Sequence, residues 1–426
     1  MKKAAATKKG FVVWILTAVI FLQLAIIHEP GRAYAVEAVP DLKLEVSSAI
    51  LMDAATGQIL YENNADVALP PASMAKMMTE YLVLDSIKNG KTKWDDTVTT
   101  SQRAADAIGS GQLLAPNEKL SLKSIFEAMS IYSGNDASVA LAEHISGSED
   151  DFAVLMNETA RKLGLSQEAH FINSTGLGRI DMEKYAPKSI PGETLMSARD
   201  SAILAYHILK DHKEVLEFTK IPSKKLRESD KSAMVNWNWM LEGNQGNDNF
   251  KSYYYVGLDG LKTGHTKEAG YCFTGTAERN GLRLISVVMG AKTEPKRFIE
   301  TRKLLDYGFN TFEMKEVLKA DSETAALPLV EVKKAVNTSV PVVTESGLSI
   351  LVRKGVKDEE IVQTAEPAEA SKLVAPVKKG DVLGKLTVTY NEQKYEVNLI
   401  AKEDVKKANW FKLMLRSIRS FFANLF

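Results

Sequence analysis

The sequence predicts an α+β protein: an antiparallel sheet packed with a helical cluster, then a small C-terminal all-β domain and an amphipathic C-terminal helix. Three observations carry this. Strand-like runs lie at both ends of residues 36–315 with helical periodicity between them; alternating stretches dominate 316–402; residues 403–426 sort apolar and basic side chains onto opposite faces of a helix. A length of 426 residues exceeds a usual single domain, and 45% hydrophobic with 25% charged residues is ordinary globular composition.

Residues 1–35 read as an export signal (signal peptide). Lys2, Lys3, Lys8 and Lys9 give a basic start, Phe11 to Ile27 is apolar, and Ala33-Tyr34-Ala35 supplies a small-x-small cleavage site. An uncleaved membrane anchor is the alternative, since the apolar run approaches the shortest spanning length. Either way the body of the protein is expected outside the cytoplasm. Removing this segment takes five bases and one acid from a balance of 54 each, leaving a mildly acidic chain with no mark of a nucleic-acid binder.

Within 36–315, Ala49 to Met52 and Gln58 to Tyr61 flank Asp53-Ala54-Ala55-Thr56-Gly57, a hairpin signal. A long helix is expected from Ser73, after Pro70-Pro71, with Met74, Met77, Met78, Tyr81 and Leu82 at core spacing. Helical patterns recur around 122–129, 137–145, 152–163 and 198–209. Strands return over 253–263, 271–277 and, after the Arg279-Asn280-Gly281 turn, 282–289. In 316–402, Leu386, Val388 and Tyr390 face Tyr395, Val397 and Leu399 across Asn391-Glu392-Gln393, and the region reads as a spacer. In 403–426, Phe411, Met414, Leu415, Ile418, Phe421, Phe422, Leu425 and Phe426 oppose Lys412, Arg416 and Arg419, with Trp410 at the start. Such a helix lies in a membrane interface; docking on the protein's own core is the alternative.

The single cysteine, Cys272, excludes an intramolecular disulfide and reads as a small buried hydrophobe. The six histidines are scattered without metal-ligand spacing, so neither metal nor cofactor is expected.

Three short motifs can carry chemistry. In Ser73-Met74-Ala75-Lys76 the serine and lysine share one helix face, so the amine approaches the hydroxyl. A helix start at Ser73 leaves its backbone N–H free for an oxyanion, and burial lowers the lysine's proton affinity. In Ser133-Gly134-Asn135 a hydroxyl and an amide meet at a tight turn, suited to proton relay and to holding a substrate carbonyl. In Lys262-Thr263-Gly264 a strand end offers positive potential, a hydroxyl and an edge for an extended peptide, which Gly264 allows to approach closely. Each alone also reads as an ordinary helix cap or turn; the three in this order do not.

The triplet resembles serine acyl-transferases of the penicillin-binding-protein and β-lactamase superfamily. The whole chain resembles the low-molecular-mass D-alanyl-D-alanine carboxypeptidases of the type-5 group. Supporting stretches are Phe171-Ile172-Asn173-Ser174-Thr175-Gly176-Leu177, Ala269-Gly270-Tyr271-Cys272 and Leu284-Ile285-Ser286-Val287-Val288-Met289-Gly290. The resemblance implies Ser73 as nucleophile, Lys76 as its base and Ser133 as an aid to proton transfer. It implies Asn135, Lys262, Thr263, Gly264 and His265 as substrate-positioning residues, with an oxyanion hole from the N–H groups of Ser73 and His265. Arg297 would help receive the substrate's terminal carboxylate. Implied partners are peptidoglycan stem peptides ending in D-Ala-D-Ala, β-lactam antibiotics and, through 403–426, the extracytoplasmic face of the bacterial cell membrane. Unlike class A β-lactamases the chain has Gly134 where they carry an acid, and Glu193-Thr194-Leu195 is a poor echo of their deacylation motif, which implies slow penicillin hydrolysis.

Overall fold

Strands β1 (Ser48–Asp53), β2 (Ile59–Asn63), β3 (Leu258–Thr266), β4 (Gly270–Arg279) and β5 (Leu282–Ala291) form one antiparallel sheet in the order β2-β1-β5-β4-β3. Sheet closure comes from the distant pairing of β1 with β5, in which Ser48 lies opposite Met289 and Met52 opposite Ile285. The computed structural model describes residues 40–423, so the expected export segment lies outside the described residues, as do Leu425 and Phe426.

Strand periodicity divides the sheet's side chains between two cores. Ile50, Met52, Ile285, Val287 and Met289 face the larger core, which holds α1 (Lys76–Lys88), α2 (Leu122–Tyr132), α3 (Asn135–Ser146), α4 (Glu149–Lys162) and α5 (Ala198–Asp211). Ala49, Leu51, Leu284 and Val288 face the other, under α6 (Glu294–Thr311) with its Phe298, Leu304, Leu305 and Phe309. The helix starts follow local rules. Ser121 caps α2, Ser148 caps α4 ahead of Glu149, Asp150 and Asp151, and Ser197 with Asp200 forms a reciprocal capping box on α5.

Helix α6 is absent from the elements the sequence predicts. It continues directly into β6 (Phe312–Leu318), which pairs with Leu348–Arg353. The all-β region therefore begins at Phe312, ahead of the boundary expected at 316. Beyond β6 come β7 (Leu329–Glu331), β8 (Ser339–Thr344), β9 (Leu348–Arg353), β10 (Val362–Pro367), β11 (Val382–Tyr390) and β12 (Gln393–Ala401); a five-stranded sheet runs β7-β8-β12-β11-β10. The β11–β12 hairpin matches the expected facing residues, with Leu386 opposite Val397 and Val388 opposite Tyr395. Its turn is tighter than expected: Gln393 already pairs with Tyr390, and Asn391 and Glu392 both take positive φ. Leu351 of β9 joins the core beneath α6, and Lys354 Nζ donates to the Phe309 carbonyl at 2.7 Å, so the module is seated on the half that holds the β1–β5 sheet.

Val405 and Ala408 are buried in this module, so the terminal helix starts later than 403. Helix α7 (Trp410–Ala423) exposes Trp410, Phe411, Met414, Leu415, Ile418 and Phe421, while Arg416 donates to the carbonyls of Ala335 and Val336 at 2.6 and 2.8 Å. Among the described residues no helix is long and apolar enough to cross a membrane.

Candidate active site

Ser73 sits not in the α-helix itself but in a 3-10 turn, Ala72–Ala75, that leads into α1 at Lys76. Ala72, just before it, is held at φ +49°, a conformation that only firm surroundings sustain in a non-glycine residue. Two loops supply them. Gly176, at φ +82°, lies so close to the Ala72 carbonyl that any Cβ would collide with it, and Gly264 of β3 is equally close to the Pro71 carbonyl. The approach that Gly264 permits is thus to the protein's own serine turn, which corrects the expectation that its missing side chain serves a substrate backbone.

Lys76, with no exposed surface, lies one turn on, its Nζ 2.8 Å from Ser73 Oγ. The same nitrogen donates to Asn135 Oδ1 at 2.7 Å and to the Thr175 carbonyl at 2.9 Å. Burial, then the neighbouring Lys262, push its proton affinity well below the usual lysine range, against the opposing pull of Asp136, Glu80 and Glu149. A neutral Lys76 has two protons for two fixed acceptors, which leaves its lone pair aimed at Ser73 Oγ.

Asn135 opens α3; its Oδ1 accepts from Lys76 and its Nδ2 donates to the Ile108 carbonyl at 2.6 Å, which uses one of the two N–H bonds of the amide nitrogen. The amide therefore orients Lys76, and its second N–H is spent on neither contact. Ser133 ends α2 in a left-handed conformation at φ +65° and receives a 2.8 Å hydrogen bond from Lys262 Nζ. Lys262 is buried, its pKa lowered to about 8 by burial and by Arg297, while Glu80 opposes the shift.

β3 is an edge strand of the sheet, and it runs on to Thr266 instead of ending at the Lys262-Thr263-Gly264 motif. One edge of Thr263, Gly264 and His265 therefore has no strand partner, the geometry an extended peptide needs for main-chain pairing. Thr263 is buried and His265 exposed, its ring stacked on Tyr271 at 4.0 Å. Arg297, 2% exposed, donates to the Gly264 carbonyl at 3.3 Å and to Glu294 at 2.7 Å, and its Nε has no hydrogen-bond partner among the described residues. These contacts tie Arg297 to the Lys262-Thr263-Gly264 strand. Glu193 accepts from the Arg179 N–H at 2.9 Å and so serves a turn.

Sequence reasoning missed the Thr175 carbonyl, the collision role of Gly176, and Glu80. Glu80 had a legible signal: it follows Lys76 by four positions on the same helix face. Among the described residues no cluster of His, Cys, Asp or Glu suits a metal ion.

Residues 34–293 match the family described as D-alanyl-D-alanine carboxypeptidase. The chain belongs to that family. It is accordingly a hydrolase of this class, and residues 312–407 match the penicillin-binding protein 5 C-terminal domain. D-alanyl-D-alanine carboxypeptidase DacF of Bacillus subtilis is 36% identical over 381 residues, 89% of this chain and 90% of that one. The crystal structure of a peptidoglycan synthesis regulatory factor (PBP3) from Streptococcus pneumoniae aligns over 85% of this carboxypeptidase and 100% of that chain, with 29% identity and a TM-score of 0.73. Penicillin-Binding Protein D2 from Listeria monocytogenes, in its cefotaxime-bound form, aligns over 63% of this chain and 99% of its own, with 34% identity and a TM-score of 0.53.

Proposed function

We propose that Ser73 is the nucleophile of this carboxypeptidase and works through an acyl-enzyme on peptidoglycan stem peptides ending in D-Ala-D-Ala. Ser73 Oγ gives its proton to neutral Lys76 Nζ and bonds to the carbonyl carbon between the last two residues; the negative oxygen is met by the backbone N–H groups of Ser73 and His265. The C–N bond breaks as a proton passes to the leaving amine by way of Ser133, whose hydroxyl is held by Lys262, and D-alanine departs. Water then adds to the ester carbonyl and gives up a proton, the Oγ–C bond breaks, and that proton passes to Ser73 Oγ. Thr263 stands beside the position of the substrate's terminal carboxylate.

The observation that carries this reading is the Ser73–Lys76 pair, 2.8 Å apart, with the lysine fixed by Asn135 and the Thr175 carbonyl. β-Lactams, which present a strained amide in the shape of D-Ala-D-Ala, acylate the same hydroxyl and stay; the cefotaxime-bound relative supports this. Incubation with benzylpenicillin, intact-mass measurement and peptide mapping test it, together with D-alanine release from a stem pentapeptide. An adduct on Ser73, lost along with D-alanine release in Ser73→Ala, is the expected result. Persistence of both in that variant overturns the assignment.

The export signal expected from the sequence and the outward-facing apolar side chains of α7 support a working position on the outer face of the cell membrane, with those side chains in the lipid interface and Lys412 and Arg419 at the headgroups. The β module then acts as a spacer, and the cellular role is maturation and organisation of the cell wall.

A further inference from the structure

Glu80 is a charged residue type with no accessible surface, in the interior of the larger core. Neither carboxyl oxygen finds a hydrogen bond, and no cation lies within ion-pair distance of it among the described residues. Isolated carboxylates are not left in such places without consequence, because transfer of the charge from water costs several kcal/mol or drives the group to hold its proton. Its helix register explains where it acts. Glu80 follows Lys76 by one turn, so it lies on the face of α1 that carries the lysine of the reacting pair.

The groups that act on it come from three elements: Lys262 from β3, Ser130 from α2, and Lys76 from its own helix. Ser130 Oγ draws close enough to ease ionisation of the carboxyl, yet neither it nor Glu80 reaches normal hydrogen-bond geometry. Around the two lysines stand Asp136 of α3 and Glu149 of α4, which pull on Lys76, and Arg297 of α6, which repels Lys262. Asp136 already accepts from three backbone N–H groups, of Gln112, Leu114 and Ala137, and Glu149 is paired with Arg103 and hydrogen-bonded to Ser174. Only Glu80 has no other duty.

We propose that Glu80 is the buried counter-charge of the Lys76–Lys262 pair, a positioning residue for protons that sets the pH range over which Ser73 is acylated. The inference rests on the Ser73 reading above. Acylation needs Lys76 neutral and Lys262 charged, and two buried lysines this near one another each resist protonation. A carboxylate beneath them raises the proton affinity of both. It is itself balanced near neutrality, its carboxyl raised to about 7 by burial, with Lys262, Ser130 and Lys76 opposing.

The test is the second-order rate of benzylpenicillin acylation from acid to alkaline pH in the full chain, for the native enzyme, Glu80→Gln and Glu80→Asp. Losing the negative charge lowers the proton affinity of both lysines. Glu80→Gln should therefore move both limbs of the bell-shaped profile to lower pH by about one unit, and Glu80→Asp should restore them toward the native positions. A Glu80→Gln profile of reduced height with unmoved limbs marks a purely structural residue and overturns the proposal. Should Glu80→Gln fail to fold, carboxyl-labelled glutamate in the native enzyme serves instead: one resonance should titrate near neutral pH and shift its midpoint once penicillin occupies the site. Ordinary acidic titration of every glutamate overturns the proposal equally. Absence of any adduct on Ser73 in the native enzyme sinks the Ser73 reading, whereas a normal adduct with unmoved limbs sinks this inference alone.

Discussion

At the scale of single residues the protein is organised around a lysine that water does not reach. Lys76 is fixed by three oxygens, and its low proton affinity follows chiefly from burial. Arginine in its place keeps a charge but cannot act as a base, so Lys76→Arg should lose about 10³-fold or more in penicillin acylation, measured by stopped flow. Native acylation should rise with pH as Lys76 loses its proton and fall again near pH 8 as Lys262 loses its own. The sign for stability is separate. Both lysines bind protons less well folded than unfolded, so they cost stability in full below their folded values, and the cost fades as pH rises toward the unfolded 10.5. Cys272 behaves differently: burial lifts its thiol to about 11. Thiol reagents should leave it untouched in the native enzyme and modify it in denaturant; prompt labelling of folded protein would contradict the burial.

At the scale of elements, the serine turn is clamped between two glycines on separate segments. Gly176→Ala and Gly264→Ala each force a methyl group into a carbonyl of that turn. Each should cost about 2–4 kcal/mol in denaturant melts, and in whatever folds, acylation should fall about 100-fold because the nucleophile shifts by a fraction of an ångström. Phe126, packed edge-on against Trp94 and Phe218, gives a control far from chemistry: Phe126→Ala should cost about 3–5 kcal/mol yet leave acylation of the folded fraction unchanged.

Elements also show what the sequence makes legible. The hairpin β1–β2, helices α1 to α5 and strands β4 and β5 announce themselves by apolar period and turn residues, and Ser73, Lys76, Ser133 and Lys262 by motif order. Helix α6 does not, because its first turns carry Pro295, Lys296 and Arg297, and its inner face includes Gly308, which packs on Leu284 and Leu51. The contacts of Asn135, Gly264 and Arg297 are not legible in the sequence, because each touches another part of the protein across the fold, and such a partner leaves no trace in local spacing. Glu80 and the Thr175 carbonyl were invisible as functional groups in the same way.

On the scale of the whole molecule, the two halves share side chains but divide labour. Among the described residues, those assigned to the Ser73 site lie between Ser73 and Arg297, while α7 turns its apolar side chains outward. A chain ended after Asn409 keeps Val405 and Ala408 in the module's core. It should hydrolyse soluble stem peptides at the native rate and no longer sediment with anionic vesicles; continued sedimentation would remove α7 from the anchoring role. Excising the β module while retaining α7 should spare soluble-substrate turnover and impair trimming of intact wall.

The passage from α6 into β6 has no loop: Thr311 ends the helix and Phe312 begins the strand. With Leu351 and Lys354 fastened across that junction, the two halves lack a swivel. The distance from nucleophile to far tip is then a constant of the fold, like the leg of a stand. With α7 as the proposed anchor, lengthening the leg by repeating a hairpin should leave the chemistry as it is and raise the level at which the enzyme works above the membrane.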